Sequence, residues 1–337
     1  MAGLHPYDSL TPDAVLDALA SVGVFGDGRL MGLSSYENRV YQVQLEEPVQ
    51  GHGDVVAKFY RPDRWSDAAI LEEHAFAEEL AAAEVPAVAP LRIEGATLHH
   101  HGGFAFSISP RRGGRAPELD DEEVLEWIGR YLGRIHTVGS ARPFEHRPML
   151  DLASFGTASR DWLLTHQAIP LDVEAAWRGT CDAALQAVAH ALGATSGHGY
   201  SPHFSLLRLH GDCHPGNILW VPDAGPHFVD LDDARTGPAV QDLWMLLSGE
   251  RAQRQRQLGA LLDGYEQVRD FDRAELALIE PLRTLRLVHY GAWLARRWDD
   301  PAFPAAFPWF GTSDYWKGQV QMLEEQLEAM AEPPLVA

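Results

Sequence analysis

The chain has little cysteine, little positive charge and no long apolar run. Cys181 and Cys213 alone, in 337 residues, are too few for a disulfide framework. Lys and Arg number 27 against 48 Asp and Glu, a formal charge of −21, and that field disfavours broad binding to nucleic acid or to an anionic membrane. No window approaches the about 18 apolar residues of a membrane span. The start, Met1–Asp8, lacks the basic-then-apolar order of a secretory signal. A reducing cytoplasm is the expected compartment, and a monomer the expected state. No G-x-G-x-x-G is present, no activation loop with an A-P-E motif is recognisable, and no repeat of 20–50 residues is visible. What is present is an apolar fraction of 46% and a charged fraction of 22%, the balance of a globular protein. At about 150 residues per domain the length suggests about two domains.

Patterning divides the chain unevenly. Residues 11–20 read as a helix, with Thr11 as N-cap and Pro12 at the first helical position. Residues 36–45 and 54–60 alternate as strands and form an antiparallel pair, with Lys58 in the second. A helix over 66–84 follows, with one apolar face and Glu72 and Glu73 side by side. Two or three short strands fill 91–109, and Arg111–Arg115 reads as a linker. Beyond it helices are expected over 121–137, 172–193, 239–248, 252–269, 273–298 and 314–331, interrupted by a β island at 206–233. The expectation is an α+β, bilobal architecture: a small β-rich N-terminal lobe, 1–110, and a larger, mainly helical C-terminal lobe, 111–337. Such layouts bind ligands between lobes.

The island carries the densest chemistry. It reads His210-Gly-Asp212-Cys-His214-Pro-Gly-Asn217, and Asp230 follows at the end of a short apolar run. Strands over 218–221 and 227–229, joined by a turn, bring Asp230 back toward Asn217. A carboxylate and an amide oxygen there form a hard-oxygen site suited to Mg²⁺, and Asp212 can orient a hydroxyl nucleophile. Protein kinases place H-R-D-x-x-x-x-N and then D-F-G in this order; here the chain has H-G-D-x-x-x-x-N and then D-L-D. Lys58, in Val-Val-Ala-Lys, has the place of the lysine on the α/β-phosphates of ATP, with Glu73 or alternatively Glu72 as its partner. Where a glycine loop belongs stands Gly32-Leu-Ser34-Ser35-Tyr-Glu-Asn38, whose N–H groups and hydroxyls can cover phosphates.

The H-G-D-x-H-x-x-N form with a loop of this kind resembles the aminoglycoside phosphotransferase and choline kinase branch of the kinase-like fold. Longer runs are similar to the stress response kinase A family. They include Ser35–Gln42, Lys58–Pro62, Arg130–His136, Arg208–His214, Phe228–Arg235, Gly237–Leu247, Ala292–Trp298 and Asp314–Trp316. The resemblance implies a bacterial serine/threonine protein kinase that uses ATP and Mg²⁺, acts in stress protection and takes a protein substrate, itself among the possible acceptors. It implies Asp212 as proton acceptor and Asn217 and Asp230 as metal ligands, with Asp230 also counted as catalytic. It puts Ser35 at the phosphates and Ser107 to Pro110, with Ser109, at the adenine-side hinge. It implies Asp242 as the brace of the catalytic loop through backbone N–H groups, and His210 reads as a packing and hydrogen-bonding support for that loop. The segment 138–205 matches less clearly.

Rival readings use some of the same residues. A small-molecule kinase for an amino alcohol or aminoglycoside shares the fold, and a nucleotide-binding pseudokinase shares it without turnover. A metallohydrolase would use His210, Asp212 and His214 around zinc. His99-His100-His101 is a possible metal tract but reads better as a turn between strands. Oxidation of Cys213 could block the base. The C-terminal aromatics Trp293, Trp298, Phe307, Trp309 and Trp316 read as packing. Arg283, Arg286, Arg296 and Arg297 form either a substrate patch or Arg–Glu surface pairs.

Overall fold

A computed structural model describes residues 5–193, 200–222 and 224–337. The start of the chain, part of 138–205, and Asp223 in the turn expected after strand 218–221 lie outside the described residues. The first elements are α1 (Pro12–Ala20), β1 (Gly26–Gly32), β2 (Arg39–Val49), β3 (His52–Phe59), α2 (Asp67–Ala82), β4 (His99–His101) and β5 (Phe104–Pro110). Next come α3 (Glu122–Gly139), α4 (Ala158–Thr165), α5 (Leu171–Ala191), β6 (Leu207–Leu209), β7 (Ile218–Val221), β8 (Gly225–Phe228) and β9 (Arg235–Gly237). The chain ends with α6 (Val240–Trp244), α7 (Arg251–Tyr265), α8 (Ile279–Arg296), α9 (Ala302–Ala306) and α10 (Ser313–Ala331). No helix among the described residues is long and apolar enough to cross a membrane.

Two compact units interleave along this order. The first holds residues 1–117, 144–147 and 214–234. Its sheet runs β1-β2-β3-β5-β4, with antiparallel neighbours. Period-two alternation sends Val55, Ala57 and Phe59 of β3 into the core, where they meet Val43, Phe106 and Ile108 and the α1 residues Val15 and Leu19. Thr11 caps α1 by accepting from the Ala14 N–H at 3.2 Å, and Ser66 caps α2 in the same way from Ala69. The β2–β3 turn is Gln50-Gly51, both left-handed with φ of 50° and 84°, the geometry that matches strand twist in a two-residue hairpin. β1 is absent from the sequence reading, which treats Gly32 onward as a turn. It is Gly-Asp-Gly-Arg-Leu-Met-Gly, an exposed edge strand without apolar alternation, so periodicity could not reveal it.

The β island divides between the units. β7 and β8 pair with each other and attach to the first unit through backbone bonds, Arg115 with Trp220 and Phe228 with Pro86 and Val88. β6 instead pairs with β9 in the second unit, residues 118–143, 148–213 and 235–337. That unit is mainly helical. α3 and α7 approach closely because Gly129 and Gly264 lack side chains; a Cβ on either would collide with a carbonyl oxygen of the other helix, that of Leu261 or Glu126. Trp316 of α10 is buried edge-on against Trp177 of α5, with ring centroids 5.6 Å apart.

Candidate active site

The first unit gathers charge around Lys58. Alternation along β3 turns Lys58 away from the face of Ala57 and Phe59, and in the ladder it lies between Val40 and Ser107. Its Nζ meets Asp230 Oδ1 at 2.9 Å and Asp232 Oδ1 at 3.1 Å. Burial pulls the ammonium pKa down, but Asp230, Asp232 and Glu73 outweigh it and hold the group well above its ordinary value. Asp232 is nearly inaccessible; Arg64 pairs with it and with Asp233, and Arg147 donates to its backbone carbonyl. Burial alone would raise the Asp232 carboxyl, yet Arg64 and Lys58 hold it below the usual carboxylate range.

Asp230 differs from its neighbour. Its side chain is 50% exposed, and its backbone is left-handed, with φ 59° and ψ 63°. That conformation costs most residues about 1–2 kcal/mol, and Asp tolerates it better than most. Asn217 closes a short 3₁₀ turn that begins at Pro215, and His214 Nδ1 accepts from the Gly216 N–H at 3.0 Å. The Asn217 carbonyl accepts from the Val229 N–H at 3.0 Å, so the β7–β8 pair sets Asn217 one step from Asp230 along the facing strand. An amide and a half-exposed carboxylate are hard-oxygen donors of the kind that could hold a divalent cation.

The two glutamates of α2 separate cleanly. Glu72 accepts from three consecutive N–H groups, those of Glu145, His146 and Arg147, at 2.6 to 2.8 Å, and so anchors that segment to the helix. Glu73 is buried, its Oε2 has no hydrogen-bond partner, and Lys58 touches Asp230 and Asp232 instead. Burial pushes the Glu73 carboxyl up to about 7, with Lys58 drawing it back. Ser35 is half-buried in the loop between β1 and β2. Ser107 is buried in β5, and its hydroxyl is engaged with Tyr60 Oη at 3.1 Å, whereas Ser109 is partly exposed two residues on. Tyr60 also meets His74 Nε2 at 2.7 Å, which accounts for a histidine on the buried face of α2.

The second unit holds Asp212. Its loop follows β6, and Asp242 at the start of α6 receives the N–H groups of His210 at 2.9 Å and Gly211 at 2.8 Å. Asp242 is fully buried, and His136 Nε2 lies 3.1 Å from it, with Tyr265 on the other ring nitrogen. Gln241 Nε2 donates to the Gly211 carbonyl, so α6 holds both the N–H and the C=O of Gly211. His210 is itself fully buried beneath this loop. Asp212 is paired with Arg286 of α8 at 2.6 Å.

Several expectations need correction. Among the described residues no group of three or more His, Cys, Asp or Glu is arranged to hold a metal, so His210, Asp212 and His214 do not form a zinc site, nor do His99, His100 and His101. The histidine tract is strand β4 rather than a turn, and His100 pairs with Asp67. Cys213 is fully buried, and burial pushes its thiol well above the ordinary value, so it is not a reactive thiolate. The four C-terminal arginines do not act as one patch. Arg283 lies over Trp244 and near Glu280, Arg296 over Trp162, Arg297 over Trp293, and Arg286 holds Asp212. Asp232 and Arg64 went unassigned in the sequence, although Asp232 stands in the D-L-D run beside Asp230.

Comparison with known proteins gives the family of the chain. Residues 30–279 match the phosphotransferase enzyme family. The chain is 48% identical over 329 residues to a protein of Salmonella typhimurium called serine/threonine protein kinase RdoA, covering 98% of this chain and 96% of the relative. It is 47% identical over the same length to stress response kinase A of Escherichia coli K12. Among solved structures, an amicoumacin kinase in complex with AMP-PNP and Ca²⁺ superposes with a TM-score of 0.69 at 18% identity, covering 93% of this chain and 91% of its own. A microcompartment-associated aminopropanol kinase superposes at 0.66 and 19%, covering 90% and 93%. At those identities the structures speak for the shared α+β fold alone.

Proposed function

The chain belongs to the phosphotransferase enzyme family, and we propose that it is a MgATP-dependent serine/threonine protein kinase of the cytoplasm, acting as a monomer in stress protection. The observation that carries this reading is the Lys58–Asp230–Asp232 cluster of the first unit; Asp212 takes its role from the H-G-D-x-x-x-x-N spacing. The names of relatives 47–48% identical over nearly the whole length support the protein substrate and the stress role.

In this reading residues 1–110 supply the nucleotide-binding set, and 111–337 the catalytic loop and metal ligands. Lys58 neutralises the α/β-phosphates, with Glu73 adding to the field that keeps it charged. Backbone N–H groups around Ser35 cover the phosphates, and the β5 edge at Ser107 to Pro110 takes the adenine. Asn217 and Asp230 would hold Mg²⁺, which would supply charge neutralisation at the phosphates. Asp212 accepts a hydrogen bond from a Ser or Thr hydroxyl. As that oxygen forms its bond to the γ-phosphorus, the bond to the β,γ-bridging oxygen breaks, the hydroxyl proton passes to Asp212, and ADP leaves. The buried Asp242–His136–Tyr265 chain and His210 fix the backbone of the loop that carries Asp212.

Incubation with γ-³²P-ATP separates this from the small-molecule alternative. Label is expected on serine or threonine of a protein acceptor or of the chain itself, lost with EDTA and restored by Mg²⁺. Saturable transfer to an amino alcohol or aminoglycoside, with no label on protein, would replace the proposal with a metabolite kinase.

A further inference from the structure

Helix α8 carries a stripe of arginine and aromatic side chains that begins at Arg286, the partner of Asp212. Arg286, Tyr290, Trp293 and the cap residue Arg297 follow one another at intervals of four, three and four, which sets them on one face. Tyr290 and Trp293 stack with centroids 5.6 Å apart, and the Arg297 guanidinium lies 5.5 Å from the Trp293 ring. At the other end Arg286 Nη1 donates to Asp212 Oδ1 at 2.6 Å, with 39% of the Arg286 side chain and 22% of the Asp212 side chain exposed.

This pair has two chemical consequences. A carboxylate oxygen that already accepts a short charge-assisted bond has less capacity left for an incoming hydroxyl. A cationic acceptor that approaches Asp212 also meets a guanidinium beside it, a repulsive element against amino-alcohol and aminoglycoside substrates. A guanidinium binds carboxylates through a planar fork, so an acidic side chain on the acceptor offers Arg286 the partner it now has in Asp212. The net charge of −21 does not oppose this, because exposed charges are screened beyond about 8–10 Å at physiological salt.

Building on the kinase reading above, we infer that the acceptor hydroxyl lies in an acidic peptide segment. A carboxylate of that segment exchanges for Asp212 on Arg286 and releases Asp212 to take the hydroxyl proton. Arg286 is then both a specificity residue and a positioning residue: it selects the acceptor by charge and holds the base aside until an acidic acceptor arrives.

Three synthetic peptides test this, each with one serine, flanked by glutamates, alanines or lysines. With wild-type protein and MgATP, the glutamate peptide is expected to exceed the alanine peptide by about tenfold or more in kcat/KM, with the lysine peptide poorest. Arg286→Ala should bring the glutamate-to-alanine ratio within about twofold. Arg286→Glu should invert the order in favour of the lysine peptide, a reversal that misfolding cannot produce. Equal use of all three peptides by the wild type, or an unchanged glutamate preference in both variants, overturns the inference. So does self-labelling with no transfer to the glutamate peptide. The underlying reading fails separately: no ATP-dependent transfer to peptide, to the chain or to a metabolite removes the kinase itself, whereas transfer without charge discrimination removes only the role of Arg286.

Discussion

Asp212→Asn is expected to lower phosphoryl transfer by about 10²–10⁴-fold, the usual range for removing a positioned general base. The amide keeps the volume of the side chain but cannot take the hydroxyl proton. Asp212 is partly exposed and the loop around it is held from elsewhere, by Asp242 through the His210 and Gly211 N–H groups, so the variant should fold normally. Because Lys58 and the proposed metal ligands are untouched, KM for ATP should stay within about threefold of wild type, while kcat carries the loss. Steady-state kinetics on a protein acceptor, beside a thermal melt, make the comparison. Wild-type kcat in Asp212→Asn would remove Asp212 from the chemistry.

Lys58→Met should reduce both activity and stability. The ammonium is the shared partner of Asp230 and Asp232, and Glu73 lies in its field. Its loss leaves buried carboxylate charge with Arg64 as the main remaining partner. Removing one member of a buried pair costs about 3–5 kcal/mol; the half-exposed Asp230 and the surviving Arg64 contact place the expected effect at the lower end. Transfer should fall by about 10²–10³-fold, the effect of removing one preorganised charge contact to the reacting group. Denaturant unfolding and label transfer test the two halves. Lys58→Arg, which keeps the charge but changes the head group, should recover stability more than activity. A Lys58→Met variant as stable and active as wild type would mean that the cluster serves neither purpose.

Much of this was legible in the sequence, because the signals were local. Period-two alternation marked β2 and β3 and set Lys58 on a strand, and Thr11-Pro12 marked the start of α1. The Asp-to-Asn spacing in 212–217 and the return to Asp230 reported a loop followed by a strand pair, and β7 and β8 form it. What stayed hidden depends on contacts between distant parts of the chain. No local pattern says that Glu72 gathers the N–H groups of residues 145–147 while Glu73 stays near Lys58. The clasp of Arg64 on Asp232 spans 168 residues, and Arg286 reaches Asp212 across 74. The island at 206–233 looked continuous, yet its ladders divide it: β6 pairs forward to β9, and β7 with β8 joins the first unit. β1 was invisible because its glycines and exposed faces remove the alternation by which strands are found.

The most direct test is a crystal grown with Mn²⁺ and a non-hydrolysable ATP analogue, in which anomalous scattering locates the metal. The account predicts Mn²⁺ bonded to Asn217 Oδ1 and the Asp230 carboxylate at about 2.1–2.2 Å, with Lys58 Nζ moved from Asp230 onto a phosphate oxygen. A metal held by His210 or His214, with Asn217 and Asp230 free of it and Lys58 still on Asp230, would contradict the account.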